Sequence, residues 1–116
     1  MRNAPVIYIV VPCYNEEEVL PLTAEFLGKK LDDLIRSRRI HPGSRVLMVD
    51  DGSKDKTWKL IEEFHEKDER FAGVKLSRNR GHQNALLAGL FEAARRRCDA
   101  AISMDADLQD DVDACD

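Results

Sequence analysis

The hydrophobic positions of the chain form short apolar runs that alternate with longer segments of helical spacing. Residues 6–11 read Val-Ile-Tyr-Ile-Val-Val, a β-branched run typical of a buried strand, and we expect Pro12 to end it. From Glu16 to about Arg39, apolar residues recur every three or four positions. This spacing predicts a helix with Pro21 in or near its first turn, where a missing N–H is harmless.

The same alternation continues to the end of the apolar pattern. We predict strands at residues 46–49, 73–77 and 100–104 and a helix at residues 81–97. A turn at residues 50–53 should precede another helix, and Ser53 or Asp55 can cap that helix. Its apolar face is formed by Trp58, Ile61 and Phe64. The order β-α-β-α-β-α-β is typical of an α/β fold with a mostly parallel sheet flanked by helices.

Composition narrows the classes of protein that this chain can represent. Its 116 residues suit one domain, residues 1–116, and its net charge of -4 argues against a nucleic-acid-binding protein. Three widely spaced cysteines suit neither a disulfide framework nor a zinc cluster, so we expect a reducing, cytoplasmic setting. No apolar run approaches the roughly 20 residues that span a bilayer. The short arginine runs are either solvated helix ends or peripheral contacts with anionic lipid headgroups.

Two acidic side chains follow the last predicted strand. Asp105 and Asp107 are two positions apart, so they project to the same side of an extended segment. Two carboxylates at so short a separation repel each other unless a cation or hydrogen-bond donors lie between them. Their oxygens are hard ligands, which suit Mg²⁺ or Mn²⁺. Gln109 can add a carbonyl oxygen. The alternative is a solvated acidic turn or a helix cap, and the position after a strand favours the metal.

The loops after the first two strands also carry polar or aromatic residues. Asp50 and Asp51 open an Asp-Asp-Gly-Ser turn. One carboxylate can shape the turn, while Asp51 accepts a hydrogen bond from a nucleobase or a ribose hydroxyl. Tyr14 can stack on a nucleobase or pack at the sheet edge, and Glu16 can accept from a base or ribose. Cys13 is interpreted as a small buried residue.

A basic segment precedes the third predicted helix. Arg78 or Arg80 can approach a phosphate near the helix N-terminus, and Gly81 permits close approach of the backbone. Caps and solvated charges are an equally good interpretation of these residues. His82 can act as a base, although such a histidine more often packs or caps.

Four segments together resemble the family 2 glycosyltransferases of the GT-A fold. They read VVPCYNEEEVLP, VDDGSKDKTW, LSRNRGHQNALLAGL and SMDADLQDD, and they lie in this order between residues 6 and 111. The subgroup most similar is the polyprenyl-phosphate glycosyltransferases, such as dolichol-phosphate mannose synthase and bactoprenol glucosyltransferase. The resemblance implies a Rossmann-like half that binds a nucleotide sugar. It also implies three sets of site residues: a nucleoside site of Pro12, Tyr14, Glu16, Val49 and Asp51, ribose-diphosphate contacts of Asp105, Ala106 and Asp107, and a metal site of Asp105, Asp107 and Gln109, with Asp107 catalytic.

The resemblance further implies transfer of a hexose from UDP-glucose or GDP-mannose to a lipid-linked phosphate, with Mg²⁺ or Mn²⁺. In the family, proline usually follows the Asp-Asp pair after the metal motif, whereas Val112 stands here. The family's domain continues for roughly another hundred residues, so the chain resembles the N-terminal, donor-binding portion. Two alternatives are a truncated nucleotide-binding remnant without catalysis and a receiver-type signalling domain. The second is disfavoured because the acidic pair follows the second strand.

Overall fold

The computed structural model describes residues 4–79 and 81–104, with the backbone alone at residue 82. Strands and helices alternate through these residues as the sequence predicts. In chain order the elements are β1 (Ile7–Cys13), α1 (Leu20–Arg36), β2 (Arg45–Asp50), α2 (Thr57–Lys67), β3 (Phe71–Lys75), α3 (His82–Arg95) and β4 (Ala100–Ser103).

The described strands form one parallel sheet in the order β3-β2-β1-β4. The chain steps outward from β1 to β2 to β3 and then returns past β1 to place β4 on its other side. Right-handed crossovers put helices from the two directions on opposite faces of a sheet. Accordingly, α1 and α2 share one buried cluster, whereas α3 packs in the other. The strand order therefore reverses between β1 and β4.

Each face of the sheet has its own core. On one face, Leu20, Leu27 and Leu31 of α1 are fully buried at helical spacing against the sheet. On the other face, α3 approaches closely because Gly89 carries no side chain. A Cβ at Gly89 would lie 2.4 Å from a methyl carbon of Val10. This close packing at Gly89 fixes the position of α3 on the sheet.

Most predicted boundaries differ from the structure by one or more residues, and the differences at the first helix and the third strand have clear causes. The first helix, expected from Glu16, begins at Leu20, because the N–H groups of Glu16 and Glu17 donate to the side chains of Thr57 and Asp55. It ends at Arg36, and Arg38 has a φ of 63° that turns the chain out of the helix. The third strand, expected at residues 73–77, begins earlier, at Phe71, since this side chain is buried in the core.

Neither predicted residue is the N-cap of the second helix, because Lys56 holds that position and makes no side-chain cap hydrogen bond. Ser53 does not cap α2; its hydroxyl accepts the amide N–H of Asn15 instead. Asp55 accepts the amide N–H of Thr57, the first residue of α2, at 2.9 Å. Within the described ranges, none of the helices combines the length and the apolar character needed to cross a bilayer.

Candidate functional site

The loops that follow β1, β2 and β3, and the segment after β4, leave the sheet from the same edge, because the strands are parallel. The described parts of these segments are residues 14–19, residues 51–56, residues 76–79 with Gly81, and Met104 after β4. Open α/β sheets bind ligands beyond the carboxyl ends of their strands, in the crevice where the strand order reverses. Here that crevice lies between the loop after β1 and the end of β4.

Pro12 does not end the first strand, so that prediction is wrong. The strand continues to Cys13 and stays paired with β2. On its other side, the carbonyl of Val10 accepts the amide N–H of Met104 at 3.0 Å. Backbone groups two residues apart in a strand face the same neighbour, so Pro12 also faces β4, and it has no N–H with which to continue that ladder. Pro12 therefore supplies no N–H donor on the side of β1 that faces β4.

The loop after β1 presents an aromatic ring and a half-buried carboxylate. Tyr14 is 41% exposed, whereas Glu16 is half-buried. Asn15, between them, has a φ of 52°, in the left-handed region that asparagine tolerates better than most residues. The exposed ring of Tyr14 is therefore accessible to a planar ligand.

The acidic pair after β2 is buried, and its two members have different partners. Asp50 is fully buried, and its Oδ1 accepts the amide N–H of Ser53 at 3.2 Å. Its Oδ2 has no hydrogen-bond partner within residues 4–79 and 81–104. Asp51 is 3% exposed, and its Oδ2 accepts the amide N–H of Gly81 at 3.1 Å. Asp50 thus shapes its own turn, while Asp51 links the second loop to the third.

The second and third loops lie in direct contact at Gly52. This residue has a φ of +74°, and a Cβ there would lie 2.4 Å from the backbone N of Asn79 and 2.6 Å from the carbonyl carbon of Arg78. Only glycine combines that conformation with that approach. Of the two arginines expected near a phosphate, Arg78 is exposed and Arg80 lies outside the described residues.

Two residues at this edge are too buried to offer their side chains to a ligand. Cys13 is 1% exposed, and burial, with further contributions from the carboxylates of Glu16 and Asp50, raises the pKa of its thiol far above the ordinary range. It is the buried residue that the sequence predicts. The side chain of Val49 is likewise fully buried, so any contact with a ligand there must come from its backbone.

The predicted metal site lies outside the described residues, as do Asp105, Ala106, Asp107 and Gln109. Met104, the last described residue, is 3% exposed and bonded to β1, so the strand leads directly into the predicted motif. In the part of the chain that the structure describes, no group of three or more His, Cys, Asp or Glu side chains could hold a metal ion. The ligand set therefore stays a prediction.

Sequence reasoning missed the contact between the first and second loops. Three consecutive backbone N–H groups of the first loop donate to side chains of the second loop and of the first residue of α2: Asn15 to Ser53 Oγ, Glu17 to Asp55 Oδ2 and Glu16 to Thr57 Oγ1. The available signal was the placement of hydroxyl and carboxylate residues at alternate positions 53, 55 and 57. Such residues also suit local turns and caps, so the sequence alone gave no reason to choose a partner in another loop.

The sequence comparisons agree with the resemblance stated above. The family model for Glycosyl transferase family 2 matches residues 8–115. The glycosyltransferase YkoT of Bacillus subtilis is 51% identical over 111 residues, which are 96% of this chain and 33% of that protein. An undecaprenyl-phosphate 4-deoxy-4-formamido-L-arabinose transferase of Pectobacterium atrosepticum is 37% identical over 87% of this chain and 28% of its own length. The chain thus spans about a third of the length of the curated relatives that it matches.

Solved structures share the fold. A TarS fragment from S. aureus superposes with a TM-score of 0.64 at 21% identity, covering 88% of this chain and 27% of that one. The mannosyltransferase PcManGT of Pyrobaculum calidifontis, solved with GDP-Man and Mn²⁺, gives a TM-score of 0.60 at 26% identity over 90% of this chain and 28% of that one. The predicted α/β fold, with a parallel sheet flanked by helices as in GT-A glycosyltransferases, is confirmed. By its fold and by the match over residues 8–115, this chain belongs to glycosyl transferase family 2.

Proposed function

We propose that residues 1–116 form the nucleotide-sugar-binding domain of a glycosyltransferase that acts at the cytoplasmic face of a membrane. It would transfer a hexose from UDP-glucose or GDP-mannose to a polyprenyl phosphate. The observation that carries the proposal is the contact between the loops after β1 and β2, because the first of these loops also borders the crevice where the strand order reverses. The relative named as an undecaprenyl-phosphate sugar transferase supports a lipid-phosphate acceptor. PcManGT, solved with GDP-Man and Mn²⁺, supports a nucleotide-sugar donor and a divalent cation.

The nucleoside would lie along the first and second loops. The ring of Tyr14 is exposed enough to stack on a base, and Glu16 and Asp51 supply carboxylate oxygens at the same edge. Pro12 and Val49 would border the base through their backbones, because both are buried. The ribose and diphosphate would then extend toward the residues after β4, Asp105, Ala106 and Asp107.

A divalent cation fits the donor chemistry at this edge. Asp105, Asp107 and Gln109 offer only oxygen ligands, which Mg²⁺ and Mn²⁺ prefer. In addition, Asp50 carries a buried carboxylate oxygen without a hydrogen-bond partner among the described residues, at the same edge of the sheet. When bound, the cation would stabilise the negative charge that develops on the departing nucleoside diphosphate.

The remaining demands on the protein are mainly geometric. In the transfer, the bond from the sugar's anomeric carbon to the diphosphate oxygen breaks, and a bond to an oxygen of the acceptor phosphate forms on the opposite face. The acceptor is already anionic, so little help from a general base is needed. The loops would therefore contribute by holding the donor in one orientation and by excluding water from it.

Titration with UDP-glucose and GDP-mannose, with and without Mn²⁺, tests the donor site. We expect metal-dependent binding of one of these donors by the wild-type chain, and we expect Asp107→Ala to abolish it while leaving the fold intact. The matched control is Asp33→Ala, which removes one exposed carboxylate from α1 on the helix layer. It should bind the donor as the wild type does.

The outcomes separate the candidate functions. Absence of metal-dependent binding to either donor would overturn the donor-site proposal for this chain. Unchanged affinity in Asp107→Ala would refute the metal assignment alone. Metal-dependent binding without turnover on a polyprenyl phosphate would favour the alternative of a nucleotide-binding remnant.

A further inference from the structure

Three backbone N–H groups of the first loop donate to side chains of the second loop and of Thr57, the first residue of α2. The N–H groups of Asn15, Glu16 and Glu17 donate to Ser53 Oγ at 2.9 Å, Thr57 Oγ1 at 2.8 Å and Asp55 Oδ2 at 3.3 Å, respectively. Amide N–H groups at a strand-to-helix turn commonly bind phosphate. Here three consecutive ones are already bound within the protein.

Asn15 takes part in this contact twice. Its N–H donates to the Ser53 hydroxyl, and its side-chain Oδ1 accepts the N–H of Lys54 at 2.9 Å. The pair is reciprocal, and it holds Asn15 at its φ of 52°. A left-handed backbone at a residue other than glycine persists only where the surroundings enforce it. The surroundings that enforce it are in the second loop.

Thr57 and Asp55 form the inner part of the same contact. Thr57 is fully buried, and its hydroxyl donates to Asp55 Oδ1 while it accepts from Glu16. Burial raises the pKa of Asp55, but hydrogen bonds from the hydroxyl and amide of Thr57 and from the amide of Glu17 outweigh it and hold the pKa below its ordinary value. The carboxylate therefore stays ionised and accepts from both loops.

We propose that Ser53, Asp55 and Thr57 are positioning residues that hold the first loop in its nucleotide-binding conformation before the nucleotide arrives. They would act through Asn15 and Glu16, and they would touch no ligand atom. The idea rests on the proposed donor site, since Tyr14 and Glu16 flank the fixed Asn15. A loop ordered in advance loses less conformational entropy on binding, so the hydrogen bonds between loops would appear as nucleotide affinity.

The decisive variants remove one hydroxyl each and have close controls. Ser53→Ala and Thr57→Val delete the acceptors of the first loop, whereas Ser53→Thr and Thr57→Ser keep a hydroxyl. Ser44→Ala is the matched control, because Ser44 Oγ accepts the N–H of Ile7 at 2.9 Å, a bond of the same kind at the amino end of the sheet. Urea unfolding of every variant reports its stability.

Two readouts are measured on the whole chain. Amide hydrogen exchange without nucleotide should accelerate at least about tenfold at Asn15 in Ser53→Ala and at Glu16 in Thr57→Val. The dissociation constants for UDP and GDP with Mn²⁺ should rise about fivefold for Ser53→Ala and more for Thr57→Val, as expected for loss of one net hydrogen bond. Ser53→Thr, Thr57→Ser and Ser44→Ala should bind the nucleotide within about twofold of the wild type.

Each result decides between distinct conclusions. Faster exchange together with weaker binding, rescued by the hydroxyl-retaining variants, supports the proposal. Unchanged exchange in Ser53→Ala and Thr57→Val would overturn it, as would faster exchange with wild-type affinity. An equal loss of affinity in Ser44→Ala would also overturn it, because general destabilisation would then explain the effect. If the wild type binds neither nucleotide, the proposed function fails, and with it the claim that this loop order serves binding; the exchange data would then report only a structural contact.

Discussion

Replacing Gly89 with alanine should destabilise the fold, because α3 packs on the sheet at this position. The new Cβ would lie 2.4 Å from Cγ1 of Val10 and 2.8 Å from Cγ2 of Val49. Both valines are fully buried in neighbouring strands, and their β-branched side chains have little freedom to rotate away. Overpacking of a core costs about 1–3 kcal/mol, and contacts this short favour the upper end.

Helix propensity acts in the opposite direction. Alanine is favoured over glycine inside a helix by about 0.8–1 kcal/mol. The expected net loss for Gly89→Ala is therefore about 2 kcal/mol of unfolding free energy. Gly28 of α1 is the matched control, because a Cβ there would meet the Phe71 ring at 3.8 Å, an ordinary contact. Gly28→Ala should gain stability by about 1 kcal/mol, from propensity alone.

Urea unfolding monitored by circular dichroism measures both changes, provided that the m-value stays constant. The two variants should differ by about 3 kcal/mol. If Gly89→Ala proves as stable as Gly28→Ala, α3 does not pack as closely on the sheet at Gly89 as described. A further check adds Val10→Ala to Gly89→Ala. Val10→Ala removes the methyl group nearest to the new Cβ, so it should lower the unfolding free energy less in the Gly89→Ala background than in the wild type. A double-mutant cycle would report this difference as a coupling between the two positions.

Three further outcomes follow from the site and the core. Gly52→Ala should weaken nucleotide binding and lower stability by about 2–4 kcal/mol, because it combines a positive φ with a clash against the backbone of the third loop; wild-type values in urea unfolding and nucleotide titration would contradict this contact. Alkylation mapped by mass spectrometry should modify Cys98 well before Cys13, whose pKa burial raises, and equal rates would contradict its burial. Arg70 lowers the pKa of Asp68 by hydrogen bonding, so Arg70→Gln should cost about 2 kcal/mol at pH 7. That difference should shrink as the pH falls below 3.8, the ordinary pKa of the carboxyl group, and a difference independent of pH would exclude the ion pair as its cause.

The order of the elements could be predicted from the sequence because hydrophobic spacing reports burial directly. Apolar runs marked the strands, and the spacing of Leu20, Leu27 and Leu31 marked α1. The ends of elements depend on partners elsewhere in the fold. Pro12 removes one N–H, but a strand between two neighbours can stop pairing with one while it continues with the other. Only the register of β4 decides which neighbour is affected.

The contact between the first two loops shows a different limit. Ser53 suits a helix cap, a turn or a hydrogen bond to a distant loop, and local sequence gives these similar weight. The choice is made by Asn15, whose amide lies beside Ser53 only after β1 and β2 have paired in register. Local chemistry therefore identified Ser53 as a hydrogen-bonding residue but assigned it to a helix cap rather than to the contact with Asn15. The expectation that Tyr14 and Glu16 face a ligand comes from residue type and position alone and stays a prediction.

The hydrogen bonds of the carboxylate oxygens indicate a binding site at the same edge of the sheet as the strand order does. Asp51 Oδ2 accepts from Gly81, and both oxygens of Asp55 accept from the first loop or from Thr57. Asp50 Oδ1 is bound to the turn, but Oδ2 is buried with no hydrogen-bond donor among the described residues. A buried acceptor left unpaired costs about 1–3 kcal/mol, and folds rarely keep one without a reason. Asp50 pairs in register with Cys13 at the end of β1, so this unfavourable free energy lies at the edge of the sheet where the donor site is proposed. Strained or unsatisfied groups often cluster at binding sites, where the fold tolerates a loss of stability.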